Sequence, residues 1–143
     1  MEYTLEKSCK DDIERLIDYK KKTIYEYAYD LSQKEIQKID DYVFNEVSKL
    51  LSDYCNIVVD GKIVGCLLVT NIDDGKLLDE IYIEENYRGR GIGSDIIRNV
   101  LYDNDIVYLW VYKANKRAIS LYERLGFSVI RETDSRFYMR CSK

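Results

Sequence analysis

Apolar residues at helical spacing predict two helices near the start of the chain, after a short strand from Tyr3 to Glu6. We expect Ser8 or Asp11 to cap the first helix, whose apolar positions are Ile13, Leu16, Ile17, Ile24 and Ala28. The second helix begins at the capping box Ser32–Glu35, in which the serine hydroxyl and the glutamate carboxylate satisfy free N–H groups. Its apolar face comprises Ile36, Ile39, Val43, Val47, Leu50 and Leu51. We expect the charged faces of both helices to be solvated.

The apolar pattern then changes from helical spacing to that of strands. Ile57–Val59 and Ile63–Val69 flank the turn residues Asp60–Gly61, which predicts a β-hairpin. A second turn is predicted at Asp73–Gly75, and a further strand at Leu77–Ile83. These segments together predict three antiparallel strands.

The second half of the chain alternates strands and helices. A glycine-rich loop is followed by a helix with one apolar side, formed by Ile96, Ile97, Val100 and Leu101. Ile106–Tyr112 is β-branched and aromatic, which predicts a buried strand. The next predicted helix, Lys116–Leu125, has Ala118, Leu121 and Leu125 on its buried face and stops at Gly126. The strands Phe127–Arg131 and Phe137–Cys141 complete the chain.

The order of these elements determines the expected fold class. The segment from Leu77 to Tyr112 is a strand–helix–strand crossover, so its two strands should be parallel and joined right-handedly. The remaining strands are free to pair antiparallel. We therefore predict a mixed α/β (α+β) sheet with helices packed on it.

Length and charge limit the classes of protein and partner. At 143 residues the chain has the size of one domain, 1–143, and no linker or repeat divides it. A net charge of -4 argues against a nucleic-acid partner, which requires a basic surface. No apolar run approaches the ~20 residues that span a bilayer. Because Met1–Glu6 carries no basic-then-apolar signal, we expect no membrane partner and a cytoplasmic location.

The chain contains no histidine, which excludes the commonest general base and the Ser-His and Cys-His catalytic pairs. The four cysteines are Cys9, Cys55, Cys66 and Cys141, and no two of them form a C-x-x-C pair. We therefore expect buried reduced thiols and no metal site.

The strongest chemical signal is the glycine-rich segment Arg88–Ser94, between a predicted strand and a predicted helix. Glycines 89, 91 and 93 allow positive φ and a close approach of the backbone to a ligand. The first N–H groups of the following helix have no internal partner and carry the positive end of the helix dipole. They suit a phosphate or pyrophosphate, although a tight turn alone would also explain the glycines. The segment lacks the Lys-Ser/Thr of a P-loop and the G-x-G-x-x-G spacing of a dinucleotide site.

The same segment resembles a known family. Arg88-Gly89-Arg90-Gly91-Ile92-Gly93 matches the R/Q-x-x-G-x-G/A motif of the GNAT acetyltransferase superfamily, and both the preceding Ile81–Tyr87 and the later Asn115–Phe127 are also similar to it. The resemblance extends from Leu77 to Phe127. It implies a GNAT-like, mostly antiparallel sheet, with helices on both faces and a central parallel strand pair splayed apart for CoA. Within the family, Tyr87–Ile97 looks like the diamine (spermidine/spermine) acetyltransferases.

The resemblance implies acetyl-CoA as co-substrate, without a metal. It implies that amides of the glycine-rich segment hold the pyrophosphate and that the strand backbone pairs with the pantetheine arm. Asn115 lies where the family places a CoA contact, and helix capping is the alternative role for it. The expected cofactor-binding residues are Ile81, Tyr82, Ile83, Arg88, Gly89, Arg90, Gly91, Ile92, Gly93, Ser94 and Asn115.

The reaction that the resemblance implies requires a base, an oxyanion donor and an acid. Tyr122 matches the tyrosine that serves the family as general acid for the departing thiolate. The donor is the backbone N–H of Ile81 or Tyr82. With no histidine, the base is Asp79, Glu80 or a relayed water. Strand alternation places Asp79 and Glu80 on opposite faces, and a β-bulge would reverse that parity.

We therefore expect an N-acetyltransferase acting on a primary amine of a small cationic molecule, such as a polyamine or aminoglycoside. The first two helices would select the acceptor, with Tyr25, Tyr27, Tyr29 and Tyr42 as candidate cleft residues. The alternatives are a protein N-terminal or lysine acetyltransferase, and a catalytically silent CoA-binding module. An RNA-directed acetyltransferase toxin is disfavoured by the acidic charge. A homodimer is expected by analogy with the family.

Overall fold

One seven-stranded sheet organises the chain, and the computed structural model describes every residue from 1 to 143. The first half contains strand β1 (Thr4–Lys7), helices α1 (Ile13–Tyr27) and α2 (Gln33–Leu50), and strands β2 (Tyr54–Val59), β3 (Lys62–Ile72) and β4 (Gly75–Ile83). The second half contains α3 (Ile92–Asp103), β5 (Ile106–Tyr112), α4 (Lys116–Arg124), β6 (Ser128–Glu132) and β7 (Arg136–Ser142). No helix is both long enough and apolar enough to cross a membrane.

The strand order is β1-β2-β3-β4-β5-β7-β6. β4 and β5 pair in parallel, and every other neighbouring pair is antiparallel. Because α3 connects the two parallel strands, the predicted crossover is confirmed. The mixed, mostly antiparallel sheet with one central parallel pair is confirmed with it.

Helices cover both faces of the sheet, as predicted, and each face has its own apolar core. Helices α3 and α4 pack on a core that includes Ile96 from α3 and Leu78, Val107 and Leu109 from the central strands. Helices α1 and α2 pack on a second core, which includes Leu16, Val43, Val47, Tyr54 and Leu68. The second core contains no residue of β5, β6 or β7.

A β-bulge in β4 limits the contact between the two parallel strands. Leu68 pairs with Glu80 and Val69 pairs with Leu78, which leaves Asp79 as the extra residue. The parallel pairing of β4 with β5 ends at Leu78, opposite Leu109. Beyond the bulge the two strands separate, so the side of β4 that faces β5 has no strand partner from Asp79 onward.

The structure confirms some of the predicted helix caps and turns but not others. The capping box at Ser32 is present, and the hairpin turn has positive φ at Asp60 and Gly61. The cap of α1 is Asp12 rather than Ser8 or Asp11, and its carboxylate accepts hydrogen bonds from the Cys9 N–H and Arg15.

Two expectations about burial were too simple. Tyr122 is the buried residue of α4, whereas Ala118, Leu121 and Leu125 are half-buried. Of the four free thiols only Cys66 is buried, while Cys55 and Cys141 are half-buried and Cys9 is exposed.

Candidate active site

The separated part of β4 directs backbone polar groups into the gap beside β5. The N–H of Glu84 donates to the carbonyl of Val64 at 2.8 Å, in register with the β3–β4 pairing. Hydrogen bonding alternates along an antiparallel ladder, so the N–H of Tyr82 faces β3, and those of Ile81 and Ile83 face the gap. The carbonyl of Ile83 accepts a 2.6 Å hydrogen bond from Arg88 Nε. Of the two predicted oxyanion donors, only the Ile81 N–H therefore lies in the gap.

A row of free backbone donors follows β4. None of the N–H groups from Gly89 to Ser94 donates a hydrogen bond within the protein, and the first bond of α3 runs from the Asp95 N–H to the Gly91 carbonyl at 3.0 Å. Gly91 is the N-cap of α3 with φ +86°, a conformation that a side chain would strain. Free N–H groups at the positive end of a helix form an anion-binding site.

A cavity of about 580 Å³ connects this loop to the gap in the sheet. The structure brings together there nearly all the predicted cofactor-binding residues: Ile81, Tyr82, Ile83, Arg88, Gly89, Gly91, Ile92, Gly93, Ser94 and Asn115. Arg90 does not line this cavity, because its guanidinium lies over the ring of Tyr87, 5.5 Å from the centroid.

Three basic residues of α4, which were not predicted, also line this cavity: Lys116, Arg117 and Arg124. Two of them occupy the first turn of α4, where the helix dipole disfavours positive charge. The unfavourable placement of Lys116 and Arg117 is the sequence signal that could have drawn attention to this end of α4.

A second cavity of about 200 Å³ lies on the other side of Ile81. The two cavities share Thr23, Ile81 and Asn115, so they meet where the free Ile81 N–H points. Asn115 fits both of its predicted roles, since its side chain accepts from the Ala118 N–H at 3.3 Å and also lines both cavities.

Both candidate carboxylates line the second cavity, together with Lys20. The extra residue in β4 reverses the strand parity, so Asp79 and Glu80 do not lie on opposite faces of the sheet as simple alternation predicts. Lys20 extends from the charged face of α1, which the sequence indicated to be solvated, but only 17% of its side chain is exposed.

Glu80 is fixed in place by several donors. The Tyr54 hydroxyl donates to it at 2.7 Å and the Cys66 thiol at 3.2 Å. Lys20 Nζ lies 3.5 Å from the same carboxylate. Burial raises the pKa of the Cys66 thiol and of Tyr54, and the negative charge of Glu80 raises both further. Both groups are therefore protonated donors at neutral pH.

Asp79 has a different environment, since it is exposed and makes no hydrogen bond or ion pair within the protein. Loss of part of its hydration in the cleft raises its pKa, Lys20 opposes the rise, and Glu80 adds to it. Burial by itself would lower the pKa of Lys20, but Glu80, Tyr42 and Asp79 raise it above its usual value. Lys20 is thus a permanent cation beside two carboxylates.

Tyr122 lines the second cavity and is 8% exposed. Its ring packs edge-on against Phe127, with centroids 5.8 Å apart. The Tyr122 hydroxyl makes no hydrogen bond within the protein. Because every fully buried side-chain oxygen has a hydrogen-bond partner, the Tyr122 oxygen is not fully buried and is open to the cavity. Burial raises the pKa of Tyr122 to about 12, so the hydroxyl keeps its proton at neutral pH.

The four candidate cleft tyrosines fall in different places. Tyr27 lines the larger cavity and Tyr42 the smaller one. Tyr25 is exposed and lines neither cavity, and the exposed Tyr29 donates from its hydroxyl to the carbonyl of Asp134 at 2.7 Å. Only two of the four therefore belong to the site.

Sequence comparison identifies relatives of this chain. A family model described as the acetyltransferase (GNAT) domain matches residues 52–129. An uncharacterized N-acetyltransferase of Methanocaldococcus jannaschii is 31% identical over 87% of this chain, which spans 60% of that protein. The spermine/spermidine N(1)-acetyltransferase of Bacillus subtilis is 35% identical over 40% of this chain and 41% of its own length.

Solved structures share the fold. A PaiA N-acetyltransferase from Thermoplasma acidophilum, crystallised in complex with coenzyme A, superposes over the full length of both chains with TM-score 0.74 and 21% identity. An acetyltransferase from Thermus thermophilus superposes with TM-score 0.75 and 16% identity, over 100% of this chain and 98% of its own.

Removing the carboxylate from the Lys20–Glu80 pair should destabilise the protein. Glu80→Gln leaves a largely buried ammonium without its ion-pair partner, and we expect the free energy of unfolding in urea to fall by about 3 kcal/mol. Lys20→Met combined with Glu80→Gln removes both charges and should lose less than Glu80→Gln alone. A double variant that loses as much as Glu80→Gln alone, or more, would contradict the unpaired ammonium as the cause of the loss.

Proposed function

The chain belongs to the GNAT acetyltransferase family, and we propose that it transfers an acetyl group from acetyl-CoA to a primary amine of a small molecule. The observation that carries the proposal is the meeting of two cavities at Ile81. The larger cavity combines features that fit a long diphosphate ligand, and the smaller one combines carboxylates with a protonated tyrosine. The amine is the cationic part of the acceptor.

The residues that line the larger cavity are suited to binding CoA. Its free N–H groups from Gly89 to Ser94 suit the pyrophosphate, and the cations Lys116, Arg117 and Arg124 suit the remaining phosphate charge. The unpaired edge of β4 offers the Ile81 and Ile83 N–H groups to the amides of the pantetheine arm, like an added strand. Acetyl-CoA supplies the activated acetyl group.

Arg88 holds part of this edge rather than serving only as a phosphate ligand. Its Nε already donates to the Ile83 carbonyl, and its guanidinium lies 5.2 Å from the ring centroid of Tyr82. Tyr82 is also stacked on Tyr19, with centroids 4.5 Å apart. This packing fixes the free strand edge against α1.

The proposed chemistry assigns one role to each group around Ile81. Asp79 accepts the proton that the ammonium must lose, directly or through a water, before the nitrogen attacks the thioester carbonyl. The Ile81 N–H donates to the oxyanion that forms. When the carbon–sulfur bond breaks, the Tyr122 hydroxyl gives its proton to the departing thiolate, and the resulting tyrosinate takes the second proton that the nitrogen loses as it becomes an amide.

Asp79 is the better base of the two carboxylates. Glu80 already accepts from Tyr54 and Cys66 and neutralises Lys20, so it has little capacity for another proton donor. Asp79 has no such partners and has a raised pKa. Glu80 is accordingly a positioning residue that holds Lys20 in the wall of the cavity.

Replacement of Gly91 should abolish binding of acetyl-CoA. Gly91→Val introduces a side chain where φ is +86° at the start of α3, which displaces the free N–H groups. Acetyl-CoA should raise the melting temperature of the wild type and leave that of Gly91→Val unchanged. Gly61→Val is the matched control, because Gly61 has a similar φ of +77° in a hairpin turn outside both cavities. A full thermal shift in Gly91→Val would contradict the pyrophosphate site.

The pH dependence of turnover should separate the base from the acid. The carboxylate form of Asp79 is required, so kcat should fall as the pH drops through its pKa, which lies above the usual ~3.9 of an aspartate. Asp79→Asn should lower kcat about 100-fold and remove this acid limb. Tyr122→Phe should lower kcat by a similar factor, keep the limb, and leave the affinity for acetyl-CoA unchanged.

Steady-state kinetics across a pH series gives kcat and its pH dependence, and calorimetric titration gives the affinity for acetyl-CoA. An unchanged kcat in Tyr122→Phe would exclude Tyr122 as the acid, and an acid limb retained in Asp79→Asn would exclude Asp79 as the base. Acetyl-CoA binding without CoA release on any amine, peptide or protein acceptor would leave a CoA-binding module as the function.

A further inference from the structure

The charged residues of the smaller cavity fall into one pair and two single charges. Lys20, Asp79, Glu80 and Arg136 line it. Lys20 and Glu80 form an ion pair at 3.5 Å. Asp79 and Arg136 appear in no ion pair, so one free negative and one free positive charge remain.

The guanidinium of Arg136 is positioned by an aromatic ring and has no carboxylate partner. It begins β7, and its guanidinium lies over the ring of Trp110 on β5, 5.0 Å from the centroid. Trp110 in turn packs against Tyr138, with centroids 4.5 Å apart. Both aromatic residues lie on the same sheet face, where Trp110 lines the smaller cavity together with residues of α1 and α2. A guanidinium stacked on a ring keeps its N–H edges free for an anion, to which it binds in a bidentate manner.

We propose, on the basis of the acetyltransferase function above, that the acceptor carries an anionic group as well as the amine. The amine lies at Asp79, and a carboxylate or phosphate of the same molecule binds Arg136. A polyamine would leave Arg136 unpaired and bring a further positive charge close to Lys20 and Arg136, which disfavours it. The cavity of about 200 Å³ is smaller than the roughly 300 Å³ lower bound for drug-sized ligands, which favours a small acceptor.

The similarity to the spermine/spermidine enzyme does not oppose this assignment. That match covers 40% of this chain and 41% of the enzyme's own length. The assignment rests instead on the charged residues that line the smaller cavity of this chain.

Matched amines test the proposal directly. Lysine and cadaverine share a terminal amine and differ by a carboxylate, and O-phosphoethanolamine and ethanolamine differ by a phosphate. Binding of each to the complex of the protein with CoA is measured by calorimetry, and acetyl transfer by CoA release. We expect the anionic member of at least one pair to bind and react at least about 10-fold better than its partner. The pair that shows the preference identifies the anion.

Two variants of Arg136 test whether this residue causes the preference for the anionic amines. Arg136→Gln should remove the preference for the anionic amine, whereas Arg136→Lys should retain part of it. Arg131→Gln is the matched control, because Arg131 lies 5.0 Å over the ring of Tyr138 on the same sheet face but outside the cavity. This control should keep the full preference.

The outcomes distinguish this proposal from the acetyltransferase function. Acetylation of plain amines without a preference for anionic ones, or a preference that survives Arg136→Gln, overturns the anion site and leaves the activity intact. Arg136-dependent binding of the anionic amines without any acetyl transfer supports the anion site and overturns the activity. If the anionic amines neither bind better nor react better than their partners, the proposal is wrong.

Discussion

The bulge at Asp79 is the feature on which the rest of the site depends. Adding one residue to β4 ends its pairing with β5 at Leu78 and opens the sheet between its two parallel strands. An unpaired strand edge inside a protein is unfavourable, because its N–H and C=O groups lose water without gaining partners. The gap therefore suits a ligand that carries its own amides. The same bulge directs the side chains of Asp79 and Glu80 into the same cavity.

Electrostatics divide the site into two regions on either side of Ile81. The larger cavity is positive, with free N–H groups at the start of α3 and basic residues from α4. The smaller cavity has two charges of each sign, and the fixed Lys20–Glu80 pair leaves Asp79 and Arg136 for a ligand. The net acidity of the chain thus gives little information about the acceptor, because the smaller cavity itself carries equal numbers of positive and negative side chains.

The sequence predicted the fold and most of the residues that line the larger cavity, because those features are local. Strand and helix periods, the hairpin at Asp60–Gly61 and the glycines before α3 each depend on a few adjacent residues. The acceptor side depends on contacts between distant segments. Lys20 reaches Glu80 from another element, and the register of β3 against β4 decides where the bulge lies. The periodicity of α1 or β4 alone carries no such information.

We infer that free backbone donors on β4 and on the following loop bind the same CoA molecule. Amide hydrogen exchange, measured residue by residue by NMR with and without acetyl-CoA, reports on each of these donors. We expect acetyl-CoA to slow exchange at Ile81, Ile83 and Gly89–Ser94, while the Gly61 amide in the hairpin turn does not change. Exchange that remains equally fast at Ile81 and Ile83 in saturating acetyl-CoA would contradict this inference.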